Sequence, residues 1–93
     1  MQRQSYTGSP IRGNFIQRLK TAQGLTQFSF LRKETSIGVK YYILELDKNL
    51  KAHWFIMQAQ GNKWVIQEKT KVPQWISTVE HDISDVIILK NLT

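Results

Sequence analysis

The segment that decides the fold is Val39-Lys-Tyr-Tyr-Ile-Leu-Glu-Leu46, which is followed closely by His53-Trp-Phe-Ile-Met57. Both stretches are rich in β-branched and aromatic residues, which favour strands. A turn-like stretch, Gln60-Gly-Asn-Lys63, separates the second of them from a third apolar run, Lys63-Trp-Val-Ile-Gln67. Because short connections join antiparallel neighbours, these segments predict an antiparallel meander.

On the amino-terminal side, the sequence predicts one more strand and a helix. Phe28 and Phe30 alternate with polar residues, which indicates the first of four strands. Ser9-Pro10 is typical of a helix start, with a serine cap followed by proline, and Gly24 ends the segment. The apolar residues between these two points recur at helical spacing: Ile11, Phe15, Ile16, Leu19 and Ala22.

The carboxyl-terminal third predicts a second helix, which Val72-Pro73 opens and Asn91 terminates. Its apolar stripe comprises Trp75, Ile76, Val79, Ile83, Val86 and Ile87. We therefore expect an α+β fold of order α-β-β-β-β-α, in which a four-stranded antiparallel meander lies between an N-terminal and a C-terminal helix. Residues 1–8 are expected to form a flexible N-terminal arm, and residues 9–93 a single domain.

The turns also predict which side chains share a face of the sheet. If Lys48-Asn49 and Gly61-Asn62 centre two of the hairpins, Leu44 pairs with His53. The predicted core face then holds Tyr42, Leu44, Leu46, His53, Phe55, Met57, Ala59, Trp64 and Ile66. The opposite face holds Tyr41, Ile43, Glu45, Trp54, Ile56, Gln58, Lys63, Val65 and Gln67, and a slip of one residue would exchange the two sets.

This second face combines aromatic and aliphatic residues with polar ones, and three explanations remain open. The N-terminal helix could cover it, a dimer or partner protein could bury it, or Tyr41 and Trp54 could serve as a stacking platform for unpaired bases.

Charge is concentrated at the start of the chain, which has a formal net charge of +6 over 93 residues. Residues 1–33 carry six basic residues and no acidic one, whereas residues 34–93 carry seven lysines and seven acids. This asymmetry predicts an anionic partner for the N-terminal third. A sheet followed by a helix also resembles, in broad architecture, small modules that bind single-stranded nucleic acid.

We therefore expect a small basic binding module whose partner is nucleic acid. Seven residues are predicted to form the interface: Arg12, Arg18, Lys20, Arg32, Lys33, Tyr41 and Trp54. The alternative is a homodimeric or accessory protein–protein interaction domain that buries the same aromatic face.

The sequence offers little for catalysis or metal binding. The absence of cysteine excludes thiolate nucleophiles and thiolate zinc ligands. Ser77, His81 and Asp85 form one stripe of a helix, whereas the members of a catalytic triad converge from separate elements. Glu80 and Asp82 point about 200° apart around a helix, so they cannot share an ion. We expect no enzyme, no cofactor and no metal site.

The start of the sequence lacks the apolar run of a secretory signal, and the longest aliphatic stretch, Val86-Ile-Ile-Leu89, is too short to span a membrane. A cytoplasmic protein without membrane association is expected.

Overall fold

The structure is a computed structural model that describes residues 13–46, 49 and 51–92. The predicted arm and the helix start at Ser9-Pro10 lie outside the described residues. The strands are β1 (Phe15–Thr21), β2 (Gly24–Thr35), β3 (Gly38–Leu46), β4 (Ala52–Gln60) and β5 (Lys63–Gln67). A 3₁₀ turn (Lys69–Lys71) then leads to α1 (Gln74–Ser77) and α2 (Glu80–Asn91). The strands form one antiparallel sheet in the order of the sequence, so the predicted meander has five strands instead of four.

The prediction of an N-terminal helix is wrong, because its central residues form β1. Phe15 and Leu19 fit both a helical stripe and the alternation of a strand, in which Ile16 and Arg18 point to the other side. As a strand, the segment pairs with β2 along its whole length, and the Phe15 ring stacks on Phe30 with centroids 4.4 Å apart. From residue 13 onward, the described chain therefore has helices only at its C-terminal end, while the coarser expectation of an antiparallel sheet with helices is confirmed.

The C-terminal helical segment is divided into two helices by a break at Thr78 and Val79. The apolar stripe nevertheless continues across the break: Ile76, Val79, Ile83 and Ile87 are all buried against the sheet. Burial of this stripe is the main contribution of the helices to the core.

The sheet curls around α2, which contacts both edge strands, β1 and β5. One face is therefore covered by the helices, and the other is the outer face of the curl. The buried strand residues of the covered face are Phe28, Phe30, Tyr41, Ile43, Phe55, Met57 and Ile66. Four of these seven strand residues are aromatic, and Tyr41 packs edge-on against Trp64 at 5.2 Å between centroids.

Two side chains of α2 satisfy the free backbone edge of β5. The Trp64 amide donates to Ser84 Oγ at 2.9 Å, and the Ile66 amide donates to Glu80 Oε2 at 2.7 Å. Lys69 Nζ donates to the other carboxylate oxygen of Glu80 at 2.6 Å. Burial disfavours the charged form of Glu80, but these hydrogen bonds outweigh it and lower the pKa of the carboxyl. The last strand is thereby fixed to the helix through polar contacts as well as apolar ones.

Candidate functional site on the open face of the sheet

The register of β3 with β4 decides which side chains reach the outer face. Leu46 pairs with Ala52, whereas the predicted turn would pair it with Lys51. This shift of one residue exchanges the two faces of β3, so Tyr41 faces the helices and Tyr42 faces outward. The predicted core positions in β3 are therefore wrong, while the predicted sides of β4 and β5 are confirmed.

We call the outer side of the sheet the open face, because no described element covers it. Across its centre, the register aligns two neighbouring rows of mostly apolar side chains. The first row is Ile16, Ser29, Leu44 and Trp54, and the second is Leu31, Tyr42, Ile56 and Gln67. These two rows are the apolar band. Within this band, Trp54 and Ile16 are each 61% exposed. Monomeric proteins rarely leave large contiguous apolar patches exposed to water.

Basic residues lie on both sides of the apolar band. Arg18 and Lys20 form one basic flank, and Lys33 and Lys40 form the other. Lys33 and Lys40 are direct cross-strand partners on the same face. Like charges placed directly opposite each other destabilise a sheet, so this pair does not serve folding.

No carboxylate faces outward from the strands in the part of the chain that the structure describes. Arg18 Nε donates to Gln27 Oε1 at 3.4 Å, and Lys40 Nζ donates to Gln67 Oε1 at 3.1 Å, so their hydrogen-bond partners there are neutral amides. The ion pairs found among the described residues involve other groups: Arg32–Glu34, His53–Glu45, Lys69–Glu80, Lys71–Glu68 and His81–Asp85. Among the described residues, none of Arg18, Lys20, Lys33 and Lys40 forms an ion pair with a carboxylate, and the carboxylate that borders the open face, Glu68, is paired with Lys71.

Two grooves border the aromatic side chains at the centre of the apolar band. The first, of about 460 Å³, extends from Tyr42 and Trp54 toward Ile16 on β1. The second, of about 350 Å³, extends from the same two rings toward Ile56 and ends at the Lys71–Glu68 ion pair. Both volumes fall within the range of small-molecule sites, which is about 300–1,000 Å³.

Of the seven predicted interface residues, the structure places some on the open face and others away from it. Arg18, Lys20, Lys33 and Trp54 all lie on the open face, whereas Arg12 lies outside the described residues.

Arg32 and Tyr41 are not available to the open face. Tyr41 is 1% exposed and belongs to the core, because the register of β3 turns it toward the helices. Arg32 lies on the same side of the sheet and donates to Glu34 Oε2 at 2.9 Å. That hydrogen bond is the main cause that raises the pKa of the Arg32 guanidinium. The two residues cannot contact a ligand bound on the other side of the sheet.

Tyr42 and Lys40 also belong to this surface, although the sequence did not predict them there. Their positions follow from the alternation of β3 once its register is known. Adjacent tyrosines, Tyr41 and Tyr42, must point to opposite faces of a strand, so the sequence showed that one of them is exposed without showing which.

A buried polar pair lies on the covered face. Glu45 is 2% exposed, and its Oε1 lies 2.8 Å from His53 Nδ1. The His53 ring in turn packs edge-on against Trp75 with centroids 5.7 Å apart. The register of β3 with β4 turns Glu45 to the covered face, whereas the register predicted from the turn places it on the opposite face.

The polar stripe of the helices forms local contacts. His81 Nε2 lies 3.4 Å from Asp85 Oδ2 with both side chains exposed, and the Ser77 hydroxyl donates to the Gln74 carbonyl oxygen at 3.0 Å. Within residues 13–46, 49 and 51–92, no three His, Cys, Asp or Glu side chains come together in a way that could hold a metal ion.

None of the helices in the described chain combines the length and the apolar character needed to cross a membrane. Comparisons with known protein families, with curated proteins and with solved structures find no significant match to this chain.

Proposed function

We propose that this protein is a small, basic, non-enzymatic binding module that binds nucleic acid across the open face of its sheet. The observation that supports this proposal is the apolar band lying between two basic flanks, with no carboxylate facing outward from the described strands. Nucleic acids offer both matching components, because a chain of phosphates carries apolar, planar bases.

The spacing of the basic flanks suits a polymer more than a small anion. Successive side chains on one face of a strand are about 7 Å apart, so the rows of Arg18 and Lys33 are separated by about 20 Å. A single phosphate or carboxylate cannot reach both flanks at once. A polyanion lying across the apolar band can, and it also relieves the repulsion between Lys33 and Lys40.

The second candidate function is a protein–protein interface, either within a homodimer or with an accessory partner. The exposed aliphatic residues Ile16, Leu25 and Leu46 favour it, since contiguous apolar surface is typical of interfaces. In a two-fold dimer formed face to face, however, basic flanks would oppose basic flanks. Charge therefore favours nucleic acid over a second copy of the chain.

A salt titration with fluorescently labelled oligonucleotides tests the proposal. We expect binding at about 50 mM salt that weakens by about 200 mM, with a log–log slope near −3 for a single strand that contacts the four flank residues through phosphates. Lys33→Gln combined with Lys40→Gln should reduce that slope by about 1.4. Lys90→Gln is the matched control, because Lys90 lies on α2 over the Phe15 ring and away from the open face.

Absence of binding at about 50 mM salt contradicts the proposal, as does binding that salt leaves unchanged. Sedimentation at the same protein concentrations tests the second candidate. A dimer that dissociates when Trp54 is replaced would assign the open face to self-association instead.

A further inference from the structure

The geometry of the open face points to a single-stranded ligand, and we propose that its unpaired bases stack on Trp54 and occupy the two grooves beside it. This inference rests on the proposed function and specifies which form of nucleic acid is bound. Four observations carry it: the exposure of Trp54, the position of the grooves, the width of the sheet and the arrangement of the basic flanks.

Trp54 is exposed to solvent on β4, at a position beyond the last residue that β5 pairs with. It lies on β4 directly opposite Leu44, and Tyr42 is its diagonal neighbour on the same face. Although both neighbours are half-buried, the Trp54 side chain is 61% exposed. Aromatic rings bind bases of any sequence by stacking, because every base has a π-face.

The two grooves lie on either side of the Trp54 ring and offer space for a ligand. They share Tyr42 and Trp54 and open in opposite directions along the apolar band, toward β1 and toward β5. A ligand that fills both therefore passes over the Tyr42 and Trp54 side chains. Successive bases of one strand can do this, with one ring in each groove and another stacked on the indole.

The width of the sheet argues against a duplex. Five strands spaced about 4.8 Å apart are about 19 Å wide, whereas the major groove of B-DNA is about 12 Å wide. The open face cannot enter that groove and would meet the phosphate backbone. Its centre, however, is apolar, and the cations lie beside it. Bases that lie along the apolar band, with a flexible backbone that passes from one basic flank to the other, match this arrangement only if the strand is unpaired.

The test compares three labelled oligonucleotides of about 15 nucleotides with the full chain: oligo-dT, a duplex of the same length, and an abasic strand with the same number of phosphates. We expect oligo-dT to bind at least about 10-fold more tightly than the other two. Trp54→Ala should weaken oligo-dT binding between about 5-fold and 100-fold and leave abasic binding unchanged, while Trp54→Phe should retain most of the affinity. Leu89→Ala, which truncates a 63% exposed side chain on α2, is the control.

Equal affinity for oligo-dT and the abasic strand overturns the stacking inference, as does tighter binding of the duplex. In either case the proposed function stands, provided that Lys33→Gln with Lys40→Gln still weakens binding. If the wild-type chain binds none of the three ligands at low salt, the proposed function itself fails. The abasic comparison uses the unmodified chain, so it decides the question whatever happens to the stability of the Trp54 variants.

Discussion

The covered and open faces of this sheet are built from alternate residues of the same five strands, yet their side chains differ in burial and in the partners they contact. On the covered face, the apolar residues pack against α1 and α2, and even the buried carboxylate of Glu45 has a partner in His53. On the open face, Trp54 remains exposed, and Lys33 lies directly opposite Lys40. Folding accounts for the first arrangement and not for the second, which supports the proposal that the open face is a binding surface.

The largest expected difference between the faces is in the cost of removing an aromatic ring. Phe28→Ala removes a side chain with 0% exposure from the covered face and should lower the free energy of unfolding by about 3–5 kcal/mol. Trp54→Ala on the open face should change it by less than about 1 kcal/mol. Urea denaturation of both variants measures the contrast, with Phe28→Leu as a milder substitution if the first variant does not fold. Similar losses from Phe28 and Trp54 would contradict the assignment of the two faces.

The next effect concerns the buried polar pair on the covered face. Glu45→Ala leaves His53 without its carboxylate partner and should lower the free energy of unfolding by about 2–3 kcal/mol. The double variant Glu45→Ala with His53→Ala should lose less than the sum of the two single losses, since the cycle isolates their coupling. Strictly additive losses would show that the 2.8 Å contact is not a stabilising interaction.

A smaller and pH-dependent effect is expected where α2 holds the edge of β5. Because the folded-state pKa of Glu80 lies below its ordinary value of 4.5, the carboxylate stabilises the fold above that pH. This stabilisation is lost as the pH falls through the lowered pKa. Glu80→Gln should therefore cost about 1 kcal/mol at neutral pH and progressively less in acid. Denaturation curves of both proteins from neutral pH to about pH 3 measure it, and a difference independent of pH would contradict the role of the charge.

The smallest expected effect is an increase in the free energy of unfolding, caused by a substitution on the open face. Lys33→Gln removes one of two opposed cations, so it should raise the free energy of unfolding by about 0.2–0.5 kcal/mol at low salt. The gain should disappear at high salt, where the repulsion is screened. The same variant should bind oligonucleotides more weakly, which would show that Lys33 favours binding at the expense of stability. A loss of stability on substitution would instead assign Lys33 a structural role.

The sequence predicted the regular strands well and the ambiguous ones poorly. Residues 63–67 form a strand with the bounds that alternation and the Gly61-Asn62 turn predicted, because a two-residue turn fixes register locally. Residues 15–21 fit two periodicities, and only pairing with β2 favours the strand. Tertiary contacts override local propensity in such segments.

The candidate site shows the same limit. Trp54 was placed on the correct side of β4, but its predicted partner Tyr41 lies in the core and Tyr42 takes the outward position. The error arises from one additional residue between β3 and β4, which composition and turn propensity do not specify. Because side chains alternate with a period of two, that single residue exchanges the entire contents of β3 between the faces.

By itself, the amino-acid sequence determined an antiparallel sheet, a C-terminal helical segment and an excess of positive charge in the first third of the chain. These follow from local periodicity, turn chemistry and counting, which need no knowledge of distant contacts. Only the tertiary structure decided that residues 15–21 add a fifth strand, that the helices cover one side of the sheet, and that Arg18, Lys20, Lys33 and Lys40 flank one apolar band. The physical reason is that register and packing depend on contacts between residues far apart in sequence, and these set which side chains share a face.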